Sequence, residues 1–193
     1  SGYFSICENA KSCKISYLEN ITNVRRFKLL PKGINEKNYN NTNPFFVVHN
    51  NRKVLYFSSD RKGGYGGLDI WFSFKNEDGT YSSPINAGPV INSEHDEITP
   101  FYDTSRELMY YSSNQDLSMG FDIYYSSGFL NKWESSKPYS QINSIYDETY
   151  FSVISDTVSY FSSSRYNCSD SISCCSDIYV LKKAFSRAVS YTH

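Results

Sequence analysis

The stretch Leu55-Tyr56-Phe57-Ser58-Ser59-Asp60-Arg61-Lys62-Gly63-Gly64-Tyr65-Gly66-Gly67-Leu68-Asp69-Ile70-Trp71 reads as two short strands around a glycine-rich loop. β-Branched and aromatic residues fit a pleated, half-buried surface, and clustered glycines mark a connection. Its first five residues return as Met109-Tyr110-Tyr111-Ser112-Ser113 and Ser159-Tyr160-Phe161-Ser162-Ser163, with a truncated copy, Gly2-Tyr3-Phe4-Ser5, near the start. Phe4, Phe57, Tyr111 and Phe161 are therefore 53, 54 and 50 residues apart. Its last three residues return as Asp122-Ile123-Tyr124 and Asp177-Ile178-Tyr179, and in degenerate form as Lys14-Ile15-Ser16. A third marker is an Ile-Asn pair: Ile34-Asn35, Ile91-Asn92 and Ile142-Asn143. Each pair follows an aromatic and a proline: Phe27 and Pro31, Tyr81 and Pro84, Trp133 and Pro138. Three ordered markers at one period define a repeat.

Each unit parses into four strands, a to d. In the second, 45–48 is strand a, 49–53 a polar turn, 54–58 strand b and 69–74 strand c. Asn76-Glu77-Asp78-Gly79 is a hairpin signal, since Asp-Gly accepts positive φ, and a weak strand d lies near 82–87. Pro84 suits an outer strand, where a ladder N–H can be missing. Composition agrees: 33 residues are aromatic, whereas only nine are Leu and four Ala, an alphabet poor for helices. The fold class is therefore all-β. Four antiparallel strands per unit of this length form a blade of a β-propeller, too small to bury both faces without neighbours. The chain holds strands b-c-d, a-b-c-d twice, then a-b-c, about three and a half blades over 1–193, with units near 1–43, 44–98, 99–148 and 149–193. Since propellers close with four to eight blades, it reads as part of a larger ring; a four-bladed ring closed by 182–193 is the alternative.

The 193 residues carry 19 Lys+Arg and 20 Asp+Glu, a net charge of −1, which argues against a nucleic-acid partner or a polybasic membrane surface. No run approaches 18 apolar residues, so no direct membrane insertion is expected. The opening residues have neither a charged n-region nor a continuous apolar run, and no signal peptide is read there.

The quoted stretch resembles the WD40-like propeller repeat called PD40, related to the repeats of TolB-type periplasmic propellers. Ile91-Asn92-Ser93-Glu94-His95-Asp96-Glu97-Ile98-Thr99-Pro100-Phe101 is similar to the segment joining blades in the Bacteroidetes branch. There such propellers sit between tetratricopeptide repeats and an OmpA-like peptidoglycan-binding domain, as in the PorE-type component of the type IX secretion system. The resemblance is strongest over 44–127 and weakest over 1–43. It implies a periplasmic, outer-membrane-associated scaffold whose partners are other envelope proteins of a secretion or motility assembly. Peptidoglycan would be reached only through a domain outside this sequence.

In propellers the b-c and d-a loops share a face. Here they are 60–69, 114–122 and 164–177, with 92–97 and 143–148. The candidate binding residues are Asp60, Arg61, Tyr65, Glu94, Asp96, Glu97, Asp147, Glu148 and Arg165. The acids would bias the face negative and the two arginines offset part of it. One reading is a surface for a protein or peptide with basic or hydrogen-bonding groups; the other is that Asn and acidic side chains organise turns by bonding to backbone. Asp69, Asp122 and Asp177 stand before strand c without EF-hand spacing, so a structural role is expected and no metal. Gln115 replaces the loop arginine in the third unit, which argues against an obligatory Arg–Asp pair. The glycine run lacks the helix and the Lys-Ser/Thr of a phosphate loop.

Cys7 and Cys13, and Cys168 and Cys174, have equal spacing in equivalent loops, which suggests two local disulfides with Cys175 left over. Local bridges imply an oxidising compartment. A zinc site would need a Cys-x2-Cys pair or a nearby His. No nucleophile elbow is present, and His49, His95 and His193 form no constellation with Ser or Cys, so no enzyme and no cofactor is expected. The rival reading is a carbohydrate-binding or glycan-processing propeller, with Glu94, Asp96, Glu97 and Glu148 as acidic candidates.

Overall fold

A computed structural model describes residues 2–8, 12–19, 27–116, 120–165 and 176–182. These form fifteen strands, all in antiparallel sheets, and no helix. The first sheet runs β1 (Gly2–Cys7), β2 (Cys13–Leu18), β3 (Phe27–Leu29). The second runs β4 (Asn41–His49), β5 (Arg52–Ser59), β6 (Asp69–Phe74), β7 (Ile85–Asn86). The third runs β8 (Glu97–Asp103), β9 (Leu108–Ser113), β10 (Asp122–Phe129), which then pairs with both β11 (Lys132–Trp133) and β12 (Lys137–Pro138). The fourth runs β13 (Glu148–Ser155), β14 (Val158–Ser163), β15 (Asp177–Lys182). Each sheet follows chain order, as hairpin-connected strands must.

The alternation of side chains across a strand explains why these short sheets hold together. In β5, Val54 and Tyr56 point to one core and Leu55 and Phe57 to another. Three cores result, one between each consecutive pair of sheets, and the same faces meet each time. Ile15, Ile70 and Ile123 face the next sheet in sequence; Phe57, Tyr111 and Phe161 face the preceding one. Aromatic pairs cross the gaps, with Tyr3–Phe46 at 5.2 Å, Phe45–Phe101 at 4.9 Å and Tyr110–Phe151 at 4.6 Å. Each fully buried ring or branched side chain contributes about 1.5–3 kcal/mol relative to exposure.

Turn chemistry sets the ladders. Asn50 and Asn51 both have positive φ between β4 and β5, as a two-residue hairpin matched to strand twist requires. The Asp78-Gly79 turn forms as read, with Gly79 at φ 83. The unit boundaries read from sequence fall inside strands: β4, β8 and β13 begin earlier, at Asn41, Glu97 and Glu148. Pro44 and Pro100 lie within β4 and β8, where a bulge absorbs each missing N–H.

Candidate functional site

At one end of the sheets the loops are tied into a continuous band by recurring hydrogen bonds. The Ile-Asn marker is a clip. Asn35, Asn92 and Asn143 each accept from the backbone N–H, and donate to the backbone C=O, of Ile15, Ile70 and Ile123 at 2.7–3.0 Å. Next to it lies a latch. Asp96 accepts from Leu68 N–H at 2.6 Å and its own N–H reaches Asn114 at 2.9 Å. Asp147 repeats this with Phe121 N–H at 2.9 Å and Ser164 at 3.1 Å. In the second unit Asn40 holds Cys13 N–H at 3.1 Å and is itself held by Asp60 at 2.6 Å.

Beneath the latch is a buried carboxylate. Glu97 is 0% exposed and accepts from Ser93 N–H and Oγ at 2.8 and 2.6 Å and from Ser113 Oγ at 2.7 Å. Glu148, also 0% exposed, has the same partners one unit on, Ser144 N–H and Oγ and Ser163 Oγ at 2.7–2.9 Å, plus Arg165 at 2.8 Å. Asn41 takes the place in the second unit, accepting from Ser59 Oγ at 3.0 Å and Arg61 at 2.7 Å. Arg61 is 6% exposed, donates to Ile34 O at 2.7 Å and stacks over Phe57 and Trp71. Burial lowers its pKa to about 10, against the pull of Glu36 and Asp60. Burial raises Glu97 above the carboxylate range, opposed by its serine donors and reinforced by Asp69.

The expected surface site is therefore corrected in part. Arg61, Glu97 and Glu148 do not lie on the loop face; they hold it from below, with their polar groups bonded to serines, backbone and, for Arg61 and Glu148, the side chains of Asn41 and Arg165. That also removes Glu97 and Glu148 from any solvent-facing acid pair. Arg165 is half-buried against Phe161 and Tyr179. Asp96 and Asp147 are latches, with Asp147 still exposed. Asp60 is exposed, Tyr65 is 51% exposed, and Glu94 stands outward 3.8 Å from His95. Asp69 is buried and accepts from Tyr65 and Gly66 N–H and Asn86 Nδ2 at 2.6–3.2 Å, so its role is the structural one. Gly66 is required by close approach: a Cβ there would collide with the backbone of 93–95. Cys7 and Cys13, register partners across β1 and β2, form a disulfide. Cys168, Cys174 and Cys175 lie outside the described residues.

A second feature escapes sequence reasoning. β1, β4, β8 and β13 line a common cavity of about 580 Å³. Register shifts in β4, β8 and β13 place Asn43, Thr99 and Tyr150 at φ 48, 53 and 54, a region that is strained for a β-branched or bulky residue. A hydrogen-bond chain joins the four sheets there. Asn43 N–H donates to Ser5 Oγ at 3.0 Å and Asn43 Nδ2 to Tyr150 OH at 3.0 Å. Tyr150 N–H then donates to Thr99 Oγ1 at 3.3 Å, which shares a bond with Ser112 Oγ at 2.8 Å. The Asn-Pro and Thr-Pro dipeptides signal two of these bulges; Tyr150-Phe151 carries no such signal. No family model matches the chain, and no curated protein matches it.

Proposed function

We propose that the four sheets are consecutive blades of a PD40-type, WD40-like β-propeller, about three and a half in this chain, serving as a non-catalytic protein-interaction scaffold. Support for the blade reading comes from the three cores, in which equivalent faces meet in turn, and from the inner strands sharing one cavity, as stacking about an axis requires. The scaffold reading is carried by one observation: Asp60, Tyr65, Glu94 and Asp147 stay exposed on loops whose backbone is latched from beneath. A rigid, acidic, preorganised surface loses little freedom on binding and suits a protein partner with basic or hydrogen-bonding groups. The proposed setting is the envelope of a bacterium of the Bacteroidetes type, periplasmic and outer-membrane-associated, in a secretion, motility or peptidoglycan-anchored assembly. The Cys7–Cys13 disulfide is consistent with that oxidising compartment.

The test is retention of envelope proteins by the immobilised chain. Retention should weaken with salt and fall on changing Glu94, which takes no part in the latch, to Lys, with folding unchanged. Retention indifferent to both changes would refute the acidic-face reading.

A further inference from the structure

The joint between the second and third sheets and the joint between the third and fourth share one frame and carry different tips. In each, a serine gives its backbone N–H and hydroxyl to the buried glutamate, Ser93 to Glu97 and Ser144 to Glu148. That serine holds the residue two further on, with His95 N–H on Ser93 Oγ at 3.1 Å and Tyr146 N–H on Ser144 Oγ at 3.3 Å. The aspartate that follows closes on Leu68 N–H in one joint and on Phe121 N–H in the other. Three positions differ between the frames. The first joint has Leu68, Glu94 and His95; the second has Phe121, Ile145 and Tyr146, so a carboxylate and an imidazole give way to an aliphatic chain and a phenol. Among the described residues, Phe121, Ile145 and Tyr146 belong to none of the three cores. Ile145 is 68% exposed, and Glu94 shows that the same frame closes around a carboxylate, so folding does not call for an isoleucine there.

We infer that the 145–146 tip is an apolar knob for a folded protein partner, which takes Ile145 into an apolar socket whose basic rim faces Asp147. A lone exposed apolar side chain is ordinary, but this one is grouped: Phe121 bonds through its N–H to Asp147 and through its C=O to Glu148 N–H, directly beside Ile145 and Tyr146. A branched side chain held outward on a fixed loop is convex, so its complement is concave, which a folded surface supplies and an extended peptide does not. A few anchors of this kind, desolvated in a pocket, carry most of an interface's energy, and a backbone already fixed by the latch loses little freedom on docking. Exposed Asp147 sets the sign of the rim. This inference rests on the scaffold reading and deepens it, adding a salt-insensitive anchor to a face read so far by its charge.

The test passes detergent-solubilised envelope proteins of a Bacteroidetes-type bacterium over the immobilised full chain and over Ile145→Glu, Ile145→Leu and Glu94→Lys. Support comes from dependence on residue 145, not from retention itself. Ile145→Glu installs the residue that the equivalent position already carries, so its urea unfolding midpoint should match wild type. It should weaken saturable retention by about thirtyfold or more, both at low salt and at about 1 M salt, where charge pairing is screened. Ile145→Leu should stay within about threefold of wild type, since a socket accepts a side chain of equal volume. Glu94→Lys should act at low salt only. Retention by Ile145→Glu equal to wild type at high salt would overturn the knob while leaving the acidic face standing. An effect of Ile145→Glu with none of Glu94→Lys would sink the acidic face and leave the knob. No saturable retention by wild type would remove both. Two further outcomes overturn the inference: a lowered unfolding midpoint in Ile145→Glu, which would mean the chain itself covers the isoleucine, and a concentration-dependent dimer lost in that variant, which would assign the socket to a second copy.

Discussion

Glu97 and Glu148 occupy the same place in consecutive units and are solved differently. Each begins the first strand of its sheet, β8 or β13, both are fully buried, and both accept from the same three serine groups. Arg165 adds a guanidinium to Glu148, whereas Gln115, exposed, stands at that position beside Glu97. Among the described residues Asp122 Oδ1 has no hydrogen-bond partner, whereas Asp69 has three donors. One carboxylate is thus kept by a cation and the other by neutral donors alone. The repeat therefore needs a hydrogen-bond acceptor at this point, and the charge is optional, as Asn41 in the second unit also shows.

Removing the cation should have the largest effect. Arg165→Met should cost about 2–3 kcal/mol in urea unfolding, less than a fully buried pair because the guanidinium keeps some exposure, and Gln115→Met should cost under about 0.5 kcal/mol. Amide substitution sharpens the contrast: Glu148→Gln should cost about 1–2 kcal/mol, since Arg165 loses its anion, and Glu97→Gln well under about 1 kcal/mol. Equal costs would mean Arg165 does not distinguish the sites. Gln115→Arg should import the fourth unit's solution, stabilising by about 1 kcal/mol and drawing the Glu97 pKa down.

The contrast extends to pH dependence. Burial raises Glu97 above its ordinary 4.5, and burial with the charges of Glu148 and Asp116 takes Asp122 from 3.8 to about 6. The folded chain then holds these protons more tightly than the unfolded one. Their stabilisation is complete below the unfolded values and is lost as pH rises through the folded ones, for Asp122 between 3.8 and about 6. Unfolding midpoints across that window should fall less steeply in Asp122→Asn and in Glu97→Gln than in wild type. A slope unchanged in both variants would place the pH response elsewhere.

Much of this was legible as repetition. The Tyr-Phe-Ser-Ser, Asp-Ile-aromatic and Ile-Asn markers gave the sheets, their order and the two-sided burial of β5 and β9, because a marker at one period must meet the same neighbour each time. Of the two readings of the joining loops, the turn-organising one fits Asp96, Glu97, Asp147 and Glu148, each of which accepts from a backbone N–H; the burial of Glu97 and Glu148 is the part that reading did not contain. A signal was present: Asn92-Ser93 and Asp96-Glu97 recur as Asn143-Ser144 and Asp147-Glu148, while Glu94-His95 becomes Ile145-Tyr146. Positions that repeat are the latch; those that vary are the exposed tip, with Glu94 and Ile145 both outward.

The sequence by itself determined the class, the period and the cores, because side-chain alternation and turn chemistry act within a few residues of one another. Only the tertiary structure decided which carboxylates are buried, that Thr99 and Tyr150 sit in strained bulges, and that β1, β4, β8 and β13 line one cavity. Those outcomes depend on groups from different sheets meeting in space, and pairings such as Asn43 with Tyr150 leave no periodic trace along the chain.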